Sequence, residues 1–208
     1  MSSETVERYR ELLDTGRART DALCWTVVQP GGRPVDVDEV ARRLGGDPAG
    51  LVTHTLHDSA LHDGGDDDRL VYGDGRDRAF RMAPVGPAVA MVEFHGYQGA
   101  SPRVLRALSV GAVVHSAFWN IEGASRFSYA VDGRVLTAFD GNLPGIRWGD
   151  APDALGTDLD ALLLLAKGGQ GDHRGPMLAL IERRTGIALT ARWLAGPHRV
   201  LLVRPLPG

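Results

Sequence analysis

The stretch from Val89 to Asp140 constrains the fold of this chain more than any other part of the sequence. Ser101 followed by Pro102 is a helix start, and Asp132-Gly133 is a two-residue hairpin turn. Around these two signals, apolar runs of strand length alternate with polar turns. Since strands joined by a hairpin pair antiparallel, the stretch predicts a mainly antiparallel central sheet. Its predicted strands are Val89–His95, Ala112–Trp119, Phe127–Val131 and Arg134–Phe139.

The segments on either side predict mostly helices, so we expect one α+β domain over residues 1–208, with the sheet flanked by helices. Residues 1–85 form an N-terminal helical part with a variable loop over 47–77, residues 86–140 form the sheet block, and residues 141–208 form a C-terminal helical part with a final strand. The predicted helices are Glu4–Arg19, Asp36–Leu44, Leu155–Lys167 and Met177–Thr185, the further strands are Cys24–Gln29 and His198–Val203, and Ile187–Leu194 fits either state.

The composition narrows the classes of function. The formal net charge is −3 and the pI is about 6.1, which argues against a nucleic-acid-binding protein. Arginine outnumbers lysine twenty-two to one, as is typical of a high-GC, actinomycete genome. The single cysteine, Cys24, excludes a disulfide within the chain. With no signal-peptide core at the N-terminus and no apolar run longer than Leu162–Ala166, we expect a cytoplasmic protein without a membrane partner.

Glu93 and His95 are the first catalytic candidates. They alternate on one predicted strand and so would share a face with Met91 and Val89. A carboxylate and an imidazole about 7 Å apart along a strand are a usable general acid–base pair if that face borders a pocket. If the strand instead leaves the core there, as Gly96 suggests, both groups are solvated.

His115 is the third catalytic candidate. It lies within an apolar strand, where a histidine is most often a core residue bonded to a neighbour. It becomes a catalytic candidate if it faces one cavity together with His95. Aromatic, amide and thioether side chains nearby could line a substrate pocket, and core packing is the other explanation for the aromatic ones. The candidates for substrate binding are Met91, Tyr97, Trp119, Asn120, Tyr129 and Trp148.

No cofactor is indicated by the sequence. The nearest approach to a metal-binding cluster lies in the loop-rich stretch and consists of His54, His57, Asp58 and His62. Those residues are irregularly spaced, whereas a metal needs at least three convergent ligands. Gly168–Gly171 follows a predicted helix rather than a strand, which is the wrong context for a phosphate-binding loop. We therefore expect neither a metal nor an organic cofactor.

Short motifs in the central block are distinctive: Gly96–Gly99 (GYQG), Phe118–Asn120 (FWN), Arg126–Gly133 (RFSYAVDG) and Phe139-Asp140 (FD). Together with Asp38–Gly45, Arg147–Asp153 and Thr185–Thr190, they resemble an actinobacterial domain family of unknown function. The resemblance extends over most of the chain except the stretch from His54 to Asp77. It implies the same fold and no particular activity.

Two functions are compatible with these observations. The first is a small cofactor-independent enzyme of actinomycete secondary metabolism, which would act on an apolar small molecule by dehydration, isomerisation or cyclisation. Such chemistry needs a placed acid and base in a dry cavity, here Glu93 with His95 or His115. The alternative is a non-catalytic binding, immunity or regulatory module. The sequence leaves the substrate and the oligomeric state open.

Overall fold

The computed structural model describes residues 2–15, 20–56, 66–74, 77–159 and 172–204. They form a nine-stranded sheet in which every neighbouring pair of strands is antiparallel, in the order β2-β9-β3-β4-β1-β5-β6-β7-β8. The predicted α+β class with an antiparallel sheet is therefore confirmed. The strands are β1 Leu23–Pro30, β2 Val52–Thr55, β3 Arg78–Val85, β4 Ala88–Phe94, β5 Ala112–Trp119, β6 Ser125–Val131, β7 Arg134–Phe139, β8 Arg147–Trp148 and β9 Pro197–Val203.

The helices begin and end at residues whose chemistry favours those positions. Asp36 accepts a hydrogen bond from the Glu39 N–H at 2.7 Å and so caps α2, and Gly186 ends α5 in a left-handed conformation with φ of 73°. No helix within the described ranges is long and apolar enough to cross a membrane. The helices are α1 Ser3–Thr15, α2 Val37–Arg43, α3 Asp66–Tyr72, α4 Pro102–Leu108, α5 Arg174–Thr185 and α6 Ala191–Leu194, with single 3-10 turns at Pro48–Gly50 and Gln98–Ala100.

Helices cover the sheet on both faces and give the domain two cores. Alternate residues of each strand point to opposite faces, so each strand contributes to both cores. The α1/α5 face is the more aromatic, and α3 packs on the same side. Its core includes Val6, Trp25, Val71, Phe94, Trp119, Phe127, Phe139, Met177 and Ile181. The α2/α4 face is aliphatic, and its core includes Val40, Leu44, Met82, Met91, Leu105, Leu108, Val114 and Ala130.

β1 occupies the middle of the sheet, between β4 and β5. Thr26 lies opposite Met91 on one side and opposite Ser116 on the other. Residues Leu23 to Val28 are all buried, as expected of a strand with cores on both faces. The strand was predicted at Cys24–Gln29, but only long-range pairing places it inside the 86–140 block, so β4 and β5 are not neighbours.

Several predicted elements differ in detail. The loop predicted over 47–77 contains β2 and α3, and β2, β9 and β3 extend the sheet beyond β4. Ile187–Leu194 is irregular until the short helix α6. The helix predicted over Leu155–Lys167 lies outside the described residues from residue 160 onward.

Candidate functional site

Glu93 lies near the end of β4 on the α2/α4 face and is almost completely buried. Its Oε1 accepts a hydrogen bond from the Gly99 N–H at 2.6 Å, and its Oε2 accepts one from the Gln98 N–H at 3.2 Å. A Cβ atom at Gly96 would lie 2.6 Å from Oε2, and one at Gly99 would lie 3.0 Å from Oε1. The segment Gly96–Ala100 therefore closes directly over the carboxylate and requires glycine at both positions.

Polar side chains surround Glu93 beneath this segment. Cys24 is its cross-strand neighbour on β1, and Thr26 Oγ1 donates to Ser116 Oγ at 3.0 Å on the same face. Burial raises the pKa of Glu93 to about 7, although the two backbone N–H groups favour its charged form. Burial and the adjacent carboxylate raise the pKa of the Cys24 thiol. Glu93 therefore titrates near neutral pH, while Cys24 stays an unreactive thiol.

His95 does not share the surroundings of Glu93. β4 ends at Phe94, and His95 has a left-handed backbone conformation with φ of 57°. Its side chain is exposed, and its ring centroid lies 5.0 Å from that of Tyr72 on α3. The expected alternation does not extend to His95 because the strand ends between the two residues, so they are not brought together as an acid–base pair.

His115 lies on β5, on the α1/α5 face, and is also almost fully buried. Its ring stacks on Tyr129 with centroids 4.8 Å apart, and the Arg184 guanidinium lies 5.1 Å from the Tyr129 centroid. Burial, reinforced by the charge of Arg184, lowers the pKa of His115 to about 3. Neither ring nitrogen has a hydrogen-bond partner within the described part of the chain. His115 is a core residue, as one of the two expectations had it, but it is stacked on its neighbour rather than hydrogen-bonded to it.

The catalytic candidates are therefore distributed over both faces of the sheet. β1 separates their strands, with Cys24 opposite Glu93 and Val27 opposite His115. The predicted substrate-binding residues divide in the same way. Met91 lies beside Glu93, whereas Trp119 is in the other core and donates its indole N–H to the Thr20 carbonyl at 2.6 Å. The structure does not join these residues into one pocket.

A row of aromatic and arginine side chains crosses one end of the α2/α4 face. We call Tyr97, Phe118, Arg126 and Trp148 the aromatic row. The Tyr97 and Phe118 ring centroids are 6.2 Å apart, Phe118 pairs with Arg126 across β5 and β6, and the Arg126 guanidinium lies 5.6 Å from the Trp148 centroid. Tyr97 is 52% exposed and Trp148 is 42% exposed. These side chains form a continuous, solvent-accessible surface.

Loops at the same end of the sheet enlarge this surface. Strand directions place the segments after β4, β5 and β7 at one end, and these segments carry five of the seven exposed large apolar side chains of the described residues. Within them, Asp140 Oδ1 accepts hydrogen bonds from Ser125 Oγ at 3.0 Å and from the Asn142 N–H at 2.8 Å. Asn120 Oδ1 accepts two backbone N–H groups and so shapes the β5–β6 turn. The five side chains are Tyr97, Ile121, Leu143, Ile146 and Trp148.

Sequence reasoning selected Tyr97 and Trp148 for a pocket and did not select Phe118 or Arg126 as functional residues. The sequence does contain a pattern that could have identified Phe118 and Arg126. On β5 and β6 these two residues alternate with core positions, which places them on one face beside the β5–β6 turn. What the sequence could not give is that both side chains are only partly buried, whereas Trp119 and Phe127 beside them lie in the core.

The buried side chain of Arg81 hydrogen-bonds to His54, one of the four residues that came nearest to a metal-binding cluster in the sequence. Arg81 on β3 is fully buried and donates to His54 Nδ1 at 3.0 Å and to the Leu70 carbonyl at 3.1 Å. Its other terminal nitrogen lies 3.5 Å from His198 Nδ1. Since a guanidinium only donates, the His54 Nδ1 lone pair is engaged by Arg81 rather than being free for a metal. No group of three metal-ligating side chains occurs within the described ranges, and the other members of the predicted cluster, His57, Asp58 and His62, lie outside them.

Comparison with known proteins identifies the family. The model of a family described as "Family of unknown function (DUF6461)" matches residues 3–200, which is nearly all of the fold described above. Searches of the curated proteins and of the solved structures found no match. Since the match extends over almost the whole sequence, the chain belongs to the DUF6461 family, whose function is unknown.

Proposed function

We propose that this protein is a non-catalytic binding module whose aromatic row and adjacent loops bind a partner protein. The observation that carries the proposal is that the segments after β4, β5 and β7, all at one end of the sheet, hold five of the seven exposed large apolar side chains of the described residues. Scattered apolar residues are normal on a protein surface, but a contiguous apolar surface marks an interaction site.

Hydrogen bonds hold the loops of this surface in place, and this supports the proposal. The β5–β6 turn and the segment after β7 are tied to each other, because Asn142 Nδ2 donates to the Gly123 carbonyl at 3.1 Å and to Asp140 Oδ1 at 3.0 Å. Tyr97 is held from below by the bonds from Gln98 and Gly99 to Glu93. A surface ordered before binding loses less conformational entropy when the partner docks.

The chemistry of the row indicates what kind of partner surface it fits. Tyrosine, tryptophan and arginine are the residues that most often dominate the binding energy of protein interfaces. Arg147, next to Trp148, is paired with Asp153 at 2.6 Å, and Arg134, at the other end of β7, is paired with Asp150 at 2.9 Å. Arg126 forms no such pair within the described part of the chain and stacks on Trp148 instead. We therefore expect an apolar partner surface that carries a carboxylate opposite Arg126.

The test is a two-step binding experiment. Partners are first captured on the tagged protein from a lysate of the organism that contains it. Each identified partner is then purified and titrated against the variants by calorimetry. We expect Trp148→Ala and Tyr97→Ala each to weaken binding at least about tenfold. Val110→Ala is the matched control, because Val110 is also exposed but lies at the opposite end of the sheet. A partner that binds both row variants as tightly as the wild type would exclude the aromatic row.

Acid–base catalysis is a second candidate, and Glu93 is the residue that favours it. A pKa of about 7 suits a group that both donates and accepts a proton at neutral pH. A substrate would reach the carboxylate only if the segment Gly96–Ala100 moved. The test compares the metabolite profile of the organism that contains the protein before and after Glu93→Gln is introduced into its own copy. An accumulated precursor would support catalysis, and an unchanged profile with intact folded protein would remove it.

A further inference from the structure

We propose that Glu93 is a positioning residue for the aromatic row: its buried carboxyl group holds the segment Gly96–Ala100, and with it Tyr97, in place. The segment carries Tyr97, so the consequence for binding rests on the function proposed above. The contact between Glu93 and the segment does not depend on that function.

The first step is the contact between the carboxylate and the segment. Glu93 accepts the N–H groups of Gln98 and Gly99, which begin the 3-10 turn Gln98–Ala100. Glycines at 96 and 99 let the backbone approach so closely that no solvent reaches the carboxylate. Glu93 is therefore buried because the segment lies over it, and it would be exposed to solvent if the segment moved away.

The second step is the connection to the surface. Tyr97 lies between the two glycines and immediately before the 3-10 turn, and its ring contacts Phe118 of the aromatic row. Movement of the segment away from Glu93 carries the Tyr97 backbone with it. One end of the aromatic row is then lost, while Arg126 and Trp148 on β6 and β8 keep their positions.

The third step is the direction of the pH effect. Around the carboxylate, β1 contributes Cys24 and Thr26, β5 contributes Ser116, and β3 contributes the Arg78 guanidinium. The N–H groups and Arg78 favour the charged form, but desolvation outweighs them and raises the pKa to about 7. Ionisation therefore favours the open segment, in which water solvates Glu93. With an ordinary pKa of 4.5 in the open state, opening becomes about tenfold more favourable between pH 6 and pH 8.

The experiment measures backbone amide exchange of Gln98 and Gly99 by NMR, corrected for the intrinsic pH dependence of exchange. In the wild type we expect protection of both amides to fall about tenfold from pH 6 to pH 8. The Ala124 amide, bonded to Asn120 Oδ1 in the β5–β6 turn, is the internal control and should not change. Protection at Gln98 and Gly99 that is independent of pH would overturn the proposal.

Two further measurements separate a positioning role from a general structural one. Glu93→Gln keeps the shape of the side chain but cannot ionise, so its protection profile should be flat with pH. If protection in Glu93→Gln changed with pH as steeply as in the wild type, the proposal would be overturned. Titration of the Glu93 carboxyl carbon in the wild type needs no variant, and its midpoint should coincide with the loss of protection. None of these measurements involves a partner, so they can fail while the Trp148→Ala binding test succeeds, or the reverse.

Discussion

The same two strands, β5 and β6, close a core on one face of the sheet and leave an open surface on the other. On the α1/α5 face, Trp119 and Phe127 are buried under helices, and Phe127 stacks on Phe139 with centroids 5.1 Å apart. On the α2/α4 face, Phe118 and Arg126 are only partly buried and lie next to exposed tyrosine and tryptophan rings. Neighbouring residues of one strand are therefore buried to different degrees, according to the face of the sheet to which each side chain points.

Each face also buries one titratable side chain, and the two respond to pH in opposite senses. Glu93 prefers its protonated, neutral form because burial raises its pKa to about 7. His115 prefers its deprotonated, neutral form because burial lowers its pKa to about 3. A buried ionisable group is therefore no sign of catalysis by itself. The difference between the two lies in access, since Glu93 is covered by a single loop segment and His115 by stacked rings.

Truncating a ring on the closed face should have the largest effect. Phe127→Ala removes a fully buried ring from the aromatic core and is expected to cost about 3–5 kcal/mol in the free energy of unfolding. Phe118→Ala on the same sheet, one strand away, should cost less than about 1.5 kcal/mol because its ring is partly solvated. Urea denaturation of both variants measures the difference, and equal losses would contradict the proposed contrast between the faces.

The opposite pH responses should appear as opposite slopes of stability. The unfolded chain binds a proton at His115 near pH 6.5 and the folded chain near pH 3, so acidification from pH 6.5 to 4.5 should cost on the order of 2 kcal/mol through this residue. For Glu93 the folded pKa is the higher one, so raising the pH from 4.5 to 7 should cost on the order of 2–3 kcal/mol.

Variants that cannot titrate separate the two contributions. His115→Phe should lose the acid-side destabilisation, and Glu93→Gln should lose the destabilisation on the neutral side. The measurement is the urea midpoint across pH 4.5 to 7.5 for the wild type and both variants. If both substitutions changed the slope in the same sense, the assignment of opposite preferences would be wrong.

Local patterns in the sequence predicted the strands that match β1, β4 to β7 and β9, but they did not predict β2 or β8, nor the order of the strands in the sheet. The hairpin at Asp132-Gly133, the helix start at Ser101 and the alternation in β5 to β7 are encoded within a few residues and were predicted correctly. The alternation predicted for β4 was wrong at His95, where the strand has already ended. The insertion of β1 between β4 and β5 depends on pairing across more than sixty residues, which no local pattern records. The insertion separates the strands that carry Glu93 and His115, and the two side chains also lie on opposite faces of the sheet.

The candidate site was harder to predict because exposure, rather than residue type, defines it. Histidine and glutamate were selected for their chemistry, but burial lowers the pKa of His115 to about 3, and Glu93 and His115 lie on opposite faces of the sheet. Tyr97 and Trp148 were selected for an enclosed pocket, and the structure places them on an open surface. Arg126 acquires its importance from Trp148, which lies on a strand of two residues whose position follows from the loop after β7.

Adding a methyl group beneath the open surface should have a moderate effect. Gly99→Ala would bring a Cβ atom to within 2.7 Å of Thr26 Oγ1 and 3.0 Å of Glu93 Oε1, and the backbone there cannot move without losing its bond to the carboxylate. We expect a loss of about 1–3 kcal/mol in the free energy of unfolding. Gly145→Ala is the control, because nothing lies near its Cβ position. Equal midpoints for both variants in thermal unfolding would refute the close packing of this segment.

The smallest effect on stability is expected where the effect on binding is expected to be large. Trp148→Ala removes a ring that is 42% exposed and stacks on Arg126, so its cost in the free energy of unfolding should stay below about 1 kcal/mol. Together with a binding loss of about tenfold or more, this result would show that the ring serves recognition rather than folding. Thermal unfolding and calorimetry on the same preparation measure both quantities. If the loss of stability instead approached that of Phe127→Ala, the ring would belong to the core, and the open face would be no different from the closed one.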